Sequence, residues 1–274
     1  IRFADVPIVG DLKYVLPELT DLLSTEFADQ LPNLTEWWNE LNAIRKDYPL
    51  GYEKPNDGLG SPEYVLERIS ALTGPDAYYV TGVGQHQMWG AHYIQQESPR
   101  HFISSAGLGT MGYGVPAGMG AKVAHPDSTV WIIDGDGCFQ MTNQELVTCA
   151  QNNIPVKVAI INNSSLGMVR QWQTLFYNER YSNTDLKDGH GTVRIPDFVK
   201  LGEAYGCATF RCERDEDVDA TIKAALEIND RPVVIDFTVS PHALVWPMVP
   251  AGVSNDKIWI AKNTSPEFDC EGEN

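Results

Sequence analysis

From about residue 62 onward, strand-like runs alternate with helical patterns, and this rhythm limits the fold more than any other feature of the chain. The runs are AYYVTGV (77–83), HFISSA (101–106), TVWIID (129–134), VKVAIIN (156–162), CATFRC (207–212) and PVVIDFTV (232–239). Parallel neighbours need a long crossover, usually a helix, so this alternation folds into a parallel sheet covered on both faces. The expected class is therefore α/β, a parallel sheet flanked by helices. The opening stretch reads differently. Leu12, Val15, Leu16, Leu19, Leu22 and Leu23 recur at helical spacing, and a second helix around Glu36 to Arg45 carries Trp37 and Trp38. The Pro- and Gly-rich YPLGYEKPNDGLGSP (48–62) follows as a linker or ordered loop. The first residues, IRFADVPIVGDL, lack an initiator Met and run from a strand-like stretch straight into the helix, giving the expectation of a chain that begins inside a domain.

Charge narrows the partners before any motif does. A chain of 274 residues with a formal net charge of −17 and no basic patch repels a phosphate backbone, so no nucleic-acid partner is expected. An anionic ligand has to be held by local devices such as a metal ion, oriented amides or a partner's side chains. With no run of about 18 apolar residues and no basic segment leading into an apolar one, neither a membrane span nor a signal peptide is read. The expected location is cytoplasmic, or organellar in a eukaryote. Five cysteines (138, 149, 207, 212 and 270) without a CxxC pair, and six histidines without HExxH spacing, suit a reducing compartment rather than a disulfide framework or a zinc site.

The stretch VWIIDGDGCF (130–139) sets a carboxylate between two glycines at the end of an apolar run. In an open parallel sheet ligands gather beyond the carboxyl ends of the strands, and Asp136 stands at such an end. Downstream, Thr142 and Glu145 have the spacing of a capping box for a helix through about Asn152, and Pro155 leads into a strand ending at Asn162 and Asn163. A right-handed crossover lays that strand near the first, so Asp136 and Asn163, 27 residues apart, are expected to meet at one edge. One carboxylate and one amide oxygen suit Mg²⁺, which takes few protein ligands and fills its octahedron with phosphate oxygens and water. Gly135 and Gly137 let the backbone approach such a phosphate, and amides near the helix start add donors. A plain β-turn accounts for GDG alone; it is the Asn-Asn at this distance that favours the metal.

GLGTMG (107–112) fits the dinucleotide pattern G-x-G-x-x-G, follows a strand-like run and precedes a plausible helix. A nicotinamide dehydrogenase expects an acidic residue at the end of the next strand to hold the ribose. Asp127 has the approximate spacing but lies in the turn HPDS, ahead of that strand, which counts against the dehydrogenase.

GDG…NN at this separation resembles the signature of thiamine diphosphate enzymes, in which the Asp and the second Asn hold the Mg²⁺ that carries the diphosphate. GVGQHQMW (82–89), SSAGLGTMGYGVPAGMGAK (104–122) and NNSSLGMVRQWQTLFYNERY (162–181) narrow the resemblance to the catalytic subunit of acetohydroxyacid synthase, also called acetolactate synthase. The resemblance covers nearly the whole chain and corresponds to the C-terminal part of that subunit. It implies that residues 1–27 end a Rossmann-like middle domain associated with FAD, that 28–61 form a linker, and that 62–274 form the thiamine diphosphate and Mg²⁺ domain with a C-terminal arm. The implied reaction decarboxylates pyruvate and joins the two-carbon unit to pyruvate or 2-oxobutyrate, in branched-chain amino acid biosynthesis. Another thiamine diphosphate enzyme of 2-oxoacids, such as pyruvate oxidase or a decarboxylase, is the runner-up, and a non-catalytic cofactor-binding fragment is the third reading.

The resemblance also assigns residues. Asp136, Asn163 and the backbone carbonyl of Ser165 are the implied Mg²⁺ ligands. Gln85 and His86 fall near the diphosphate, with Gly135, Gly137 and Cys138 beside it. Gly109 and Met111 approach the two rings, Met111 as the prop that bends the cofactor; from spacing alone it reads as a core filler. Leu166 and Gly167 line the cofactor, while Met168 and Trp172 line the substrate pocket. Trp172 reads equally, without the resemblance, as a residue holding a helix against the core. Gly10 and Asp11, in IVGDL, match one edge of a FAD site. YSNTDLKDGHGTVRIP (181–196) is a mobile lid or a surface loop, and VWPMVPAGVSND (245–256) matches an arm folding over the site. The glutamate that activates the cofactor in this family lies in another domain of a neighbouring subunit and has no counterpart here. These residues alone are therefore expected to be inactive, working in a homodimer or homotetramer of the complete catalytic subunit with a regulatory small subunit.

Overall fold

The computed structural model describes residues 3–30, 32–186 and 195–265, and the chain divides into two compact units, Ile1–Gly51 and Tyr52–Asn274. The first unit consists of helices α1 (Leu12–Thr25) and α2 (Thr35–Asp47) with a 3₁₀ turn, Ala28–Gln30, between them. The Asp11 carboxylate caps α1, accepting the Lys13 N–H at 2.9 Å. The unit boundary falls inside the stretch 28–61, and α2 occupies part of that stretch.

The second unit runs α3 (Pro62–Thr73), β1 (Tyr78–Thr81), α4 (Gln85–Tyr93), β2 (Phe102–Ser104), α5 (Gly114–Ala124), β3 (Val130–Gly135), α6 (Asp136–Thr142) and α7 (Glu145–Gln151). It continues with β4 (Lys157–Asn162), α8 (Gly167–Phe176), α9 (Phe198–Ala204), β5 (Ala208–Cys212), α10 (Asp215–Glu227) and β6 (Val233–Thr238). The strands form one parallel six-stranded sheet in the order β2-β1-β3-β4-β6-β5. Each strand lies within a few residues of its expected span. Successive side chains point to opposite faces, so Trp131 and Ile133 pack with Leu66, Ile69 and Trp89 on one side of the sheet. Val130 and Ile132 pack with Val115, Phe139 and Leu146 on the other. With both faces covered, the interiors of the central strands are apolar, and the buried polar residues Asp134, Lys157 and Asn162 stand at or next to the strand ends. Helix α5 lies so close on β3 that a Cβ on Gly118 would overlap Ile132.

After β1 the chain moves outward to β2, then returns past β1 to β3 and continues away from it. The crevice between the carboxyl ends of β1 and β3 is therefore the switch point at which such sheets bind ligands. The glycine-rich stretch before α3 is an ordered loop where it meets the sheet: Gly60 N–H donates to the Thr238 carbonyl at 3.3 Å and Ser61 N–H to Asp215 Oδ1 at 2.8 Å. The capping box expected at Thr142 does not form. The helix after β3 begins at Asp136 itself, and the Thr142 hydroxyl instead donates to the Gly112 carbonyl at 2.8 Å. Among the described residues no helix is long and apolar enough to cross a membrane.

Glu63, in the first turn of α3, is buried, and burial pushes its carboxyl up to about 7 from an ordinary 4.5. The folded state holds this proton more tightly than the unfolded chain, so the group is harmless in acid and costs stability progressively as pH rises from about 4.5 to about 7, above which the cost is constant. Glu63→Gln should therefore add about 3 kcal/mol of stability at pH 8 and less than about 1 kcal/mol at pH 5. The difference between the urea midpoints of the two proteins at each pH reads this out. An equal difference at both pH values would show that the carboxyl does not titrate in this range.

Candidate functional site

A cavity of about 360 Å³ opens at the carboxyl ends of β1, β3 and β4. Three connections build it: the turn from β1 into α4, the direct passage from β3 into α6, and the turn Asn163–Leu166 from β4 into α8. A fourth wall is the loop after β2, with Gly109, whose φ is +73°, and Met111. Gln85, His86, Gly135, Asp136, Gly137, Cys138, Asn163, Ser165, Leu166, Gly167, Met168 and Trp172 all line the same space. Gly10 and Asp11 belong to the other unit, where Asp11 serves as a helix cap.

One corner is rich in oxygen. Asp136 is buried as the first residue of α6; its Oδ1 accepts the Gly137 N–H at 3.0 Å, and its buried Oδ2 makes no well-formed hydrogen bond among the described residues. Burial pushes the carboxyl up to about 7 against the pull of the Gly137, Ser165 and Ser164 amides. Across the β3–β4 pair, the Asn163 side chain donates Nδ2–H to Gln85 Oε1 at 3.0 Å and accepts the Ser165 N–H on Oδ1 at 3.2 Å. An amide oxygen has two lone pairs, so Oδ1 keeps one free. A buried carboxylate with an unpaired oxygen is costly unless a cation neutralises it. The donor set fits Mg²⁺, a hard ion that prefers oxygen. The backbone of this corner is closely bounded: a Cβ on Gly135 would stand 2.8 Å from His86 Nδ1, and one on Gly137 would stand 2.7 Å from Leu166 Cδ2. The N-terminal turn of α4 borders the same cavity, and its N–H groups suit an anion.

Beneath this corner lies a residue that sequence reasoning missed. Asp134, in β3, is fully buried with its Oδ1 3.7 Å from His86 Nε2, and neither atom is hydrogen-bonded among the described residues. Burial pushes Asp134 up to about 8, with only the Gly82 amide drawing it back, and pushes His86 down to about 3. With Cys138 these side chains form a trio whose ligand atoms lie within 4.8 Å of one another. Burial pushes the Cys138 thiol up to about 11, and its Sγ–H donates to the Val83 carbonyl at 3.0 Å. Asp134 also packs against the start of α5: a Cβ on Gly114, the first residue of that helix, would lie 2.7 Å from its Oδ2. The signal for it in the sequence is the doubled acid of DGDG, whose first member is Asp134.

The remaining wall is apolar, built from Met111, Leu166, Met168 and Trp172. Trp172, on α8, stands 48% exposed while lining the cavity, which removes the reading of it as a core residue. In the polar stretch 181–196, residues 187–194 lie outside the described residues; its first part is anchored, since Leu166 N–H donates to the Thr184 carbonyl at 2.7 Å and Leu186 N–H to the Ser164 carbonyl at 3.0 Å.

Residues 82–237 match the family described as thiamine pyrophosphate enzyme, C-terminal TPP binding domain. The chain is 59% identical over 268 residues to an acetolactate synthase of Mycobacterium bovis, covering 98% of this chain and 43% of that protein. It is 58% identical over 272 residues to an acetolactate synthase of Mycobacterium leprae, covering 99% and 43%. It is 51% identical over 269 residues to an acetolactate synthase large subunit of Corynebacterium glutamicum, covering 98% and 42%. The chain thus spans less than half the length of the curated relatives it matches.

Proposed function

The chain belongs to the thiamine pyrophosphate enzymes, and on that premise we propose that it forms the cofactor-binding part of an acetolactate synthase, holding thiamine diphosphate through Mg²⁺ and taking pyruvate and a second 2-oxoacid, pyruvate or 2-oxobutyrate. The observation that carries this reading is the buried pair Asp136 and Asn163, each directly following one of two adjacent parallel strands, with one carboxyl oxygen unpaired. Asp136 and Asn163 are the side-chain ligands in this reading, and the Ser165 carbonyl completes the protein's share. Thiamine diphosphate, when bound, supplies a carbon nucleophile and an electron sink for removing CO₂ from a 2-oxoacid. His86 and the first amides of α4, the Gln85 N–H among them, hold the diphosphate end, while the Gln85 side chain is engaged by Gln171, Ala243 and Asn163 and Met111 and Leu166 seat the rings and keep water out.

Trp172 and Met168 face the second 2-oxoacid. An apolar wall discriminates one methylene by only about 1–3 kcal/mol, so any preference for 2-oxobutyrate is graded rather than absolute. The oligomer, the regulatory subunit, a cytoplasmic location and FAD remain part of the proposal. For FAD the support is the resemblance alone, since the Asp11 carboxylate is engaged as a cap.

Tryptophan fluorescence tests the reading, because Trp89 and Trp172 line the cavity. Thiamine diphosphate is expected to quench the chain's emission only when Mg²⁺ is present, and NADH is expected to leave it unchanged. A response to NADH, or none to thiamine diphosphate with Mg²⁺, would overturn the assignment.

A further inference from the structure

The orientation of one proposed metal ligand is set from the far end of the chain. Gln171, on α8, is fully buried and pairs with Val245 as a neighbouring strand would: the Val245 N–H donates to Gln171 Oε1 at 2.8 Å, and Gln171 Nε2 donates to the Val245 carbonyl at 3.2 Å. The second Nε2 hydrogen meets Met248 Sδ at 3.6 Å. Gln171 Oε1 also accepts from Gln85 Nε2 at 2.9 Å, and the other Gln85 Nε2 hydrogen goes to the Ala243 carbonyl at 3.2 Å. Gln85 Oε1 is thereby left to accept from Asn163 Nδ2 at 3.0 Å.

Each amide in this series has a donor end and an acceptor end, and each orientation dictates the next. A backbone N–H can only donate, so Val245 fixes Gln171 oxygen-first, Gln171 fixes Gln85 nitrogen-first, and Gln85 fixes Asn163 with its nitrogen inward. Asn163 Oδ1 is therefore turned to the Ser165 side of the turn, away from Gln85. Reversing any member would set oxygen against oxygen inside the protein, where an unmade hydrogen bond costs about 1–3 kcal/mol.

We infer that Gln171 is a positioning residue that transmits the seating of the C-terminal segment Ala243–Met248 to Asn163, holding the amide oxygen where the cation is bound. The inference rests on the proposed function, in which Asn163 is the ligand. Docking of the C-terminal segment is then part of the metal site rather than only a cover over it. Without Gln171, Gln85 can rotate, Asn163 can present either end, and part of the population is turned the wrong way for a cation.

Two readouts test this on the chain. In the first, the Mg²⁺ midpoint of fluorescence quenching is measured at saturating thiamine diphosphate. Gln171→Met, which keeps the size and loses the amide, should weaken Mg²⁺ about 10- to 100-fold, the range for partners that orient metal ligands. In an Asn163→Asp background, where both side-chain ends are oxygen, adding Gln171→Met should cost almost nothing more. A loss equally large in that background would mean that Gln171 acts through packing and would overturn the proposal, as would a Gln171→Met midpoint unchanged from wild type.

The second readout needs no cofactor. By NMR of the free protein, the Gln85 and Asn163 side-chain NH₂ protons should be protected in wild type and exchange roughly tenfold faster in Gln171→Met. Unchanged protection sinks the relay. Lost protection in a protein that never responds to Mg²⁺ supports the relay and removes only the functional reading.

Discussion

Asp136→Ala is expected to abolish the Mg²⁺-dependent response to thiamine diphosphate, weakening cofactor binding by more than about 100-fold, while leaving the free protein as stable as wild type or slightly more so. Asp136 supplies the single charged ligand of the proposed site, its partner Asn163 being neutral. The diphosphate is an anion entering a chain of net charge −17, so nothing in the global field helps it in. Stability moves the other way. The Asp136 Oδ2 is buried without a well-formed hydrogen bond, a state that costs free energy in the absence of a cation. Alanine removes that cost and leaves a void of a few atoms, and the two effects roughly cancel. Thermal unfolding separates the outcomes. At cofactor concentrations about 100 times Kd, wild type gains about 2.7 kcal/mol, or roughly 5–10 °C for a unit of this size. The variant should gain nothing from a matched or higher baseline. A variant that still shifts with the cofactor, or one that melts far below wild type before any is added, would show that Asp136 is a structural turn residue.

What could be read from the sequence, and what could not, follows from how far apart the cooperating residues lie. The central strands were legible because a sheet covered on both faces fills the strand interiors with apolar residues, so the runs VWII and VAII stand out at once. The pair Asp136 and Asn163 was legible because each follows directly on one of two adjacent parallel strands, and a strand end is a position the sequence marks. The helix start after β3 was misplaced, since Thr142 and Glu145 have capping spacing but the Thr142 hydroxyl is spent on the Gly112 carbonyl from another loop. Asp134 was overlooked because its significance depends on Gly82 and Gly114, glycines whose missing side chains make room for it. The amide relay was beyond reach altogether. Gln171 lies 86 positions from Gln85 and 74 from Val245, and no local pattern links a glutamine in a helix to a backbone group that far along the chain. Gln171 also sits in an amphipathic helix where a glutamine would ordinarily be assigned to the solvent face.

Gly167→Ala puts the same corner under a harsher test, with an expected loss of about 3 kcal/mol in the free protein and a Tm lower by roughly 5–10 °C. Local preference predicts the opposite. Gly167 opens α8, its φ lies outside the region that favours glycine, and alanine is the better helix former by up to about 1 kcal/mol. The objection is spatial. A Cβ there would overlap Gln85 Oε1 and come within 2.7 Å of Asn163 Nδ2. Neither amide can retreat, because Gln85 is tied to Gln171 and the Ala243 carbonyl, and Asn163 is tied to the Ser165 N–H. Making room breaks one or two buried hydrogen bonds, at about 1–3 kcal/mol each, which outweighs the gain in helix preference. Mg²⁺ binding should fall along with stability, since the displaced amide is the proposed ligand. Pairing the change with Asn163→Ala, which deletes the amide 2.7 Å from the new Cβ and releases its bond to Gln85 Oε1, should reduce the stability penalty by a third or more, the signature of two contacting sites. A rise in Tm for the single variant would mean that Gln85 and Asn163 do not crowd this glycine, and the geometry drawn for the cation's corner would have to be redrawn from α8 outward.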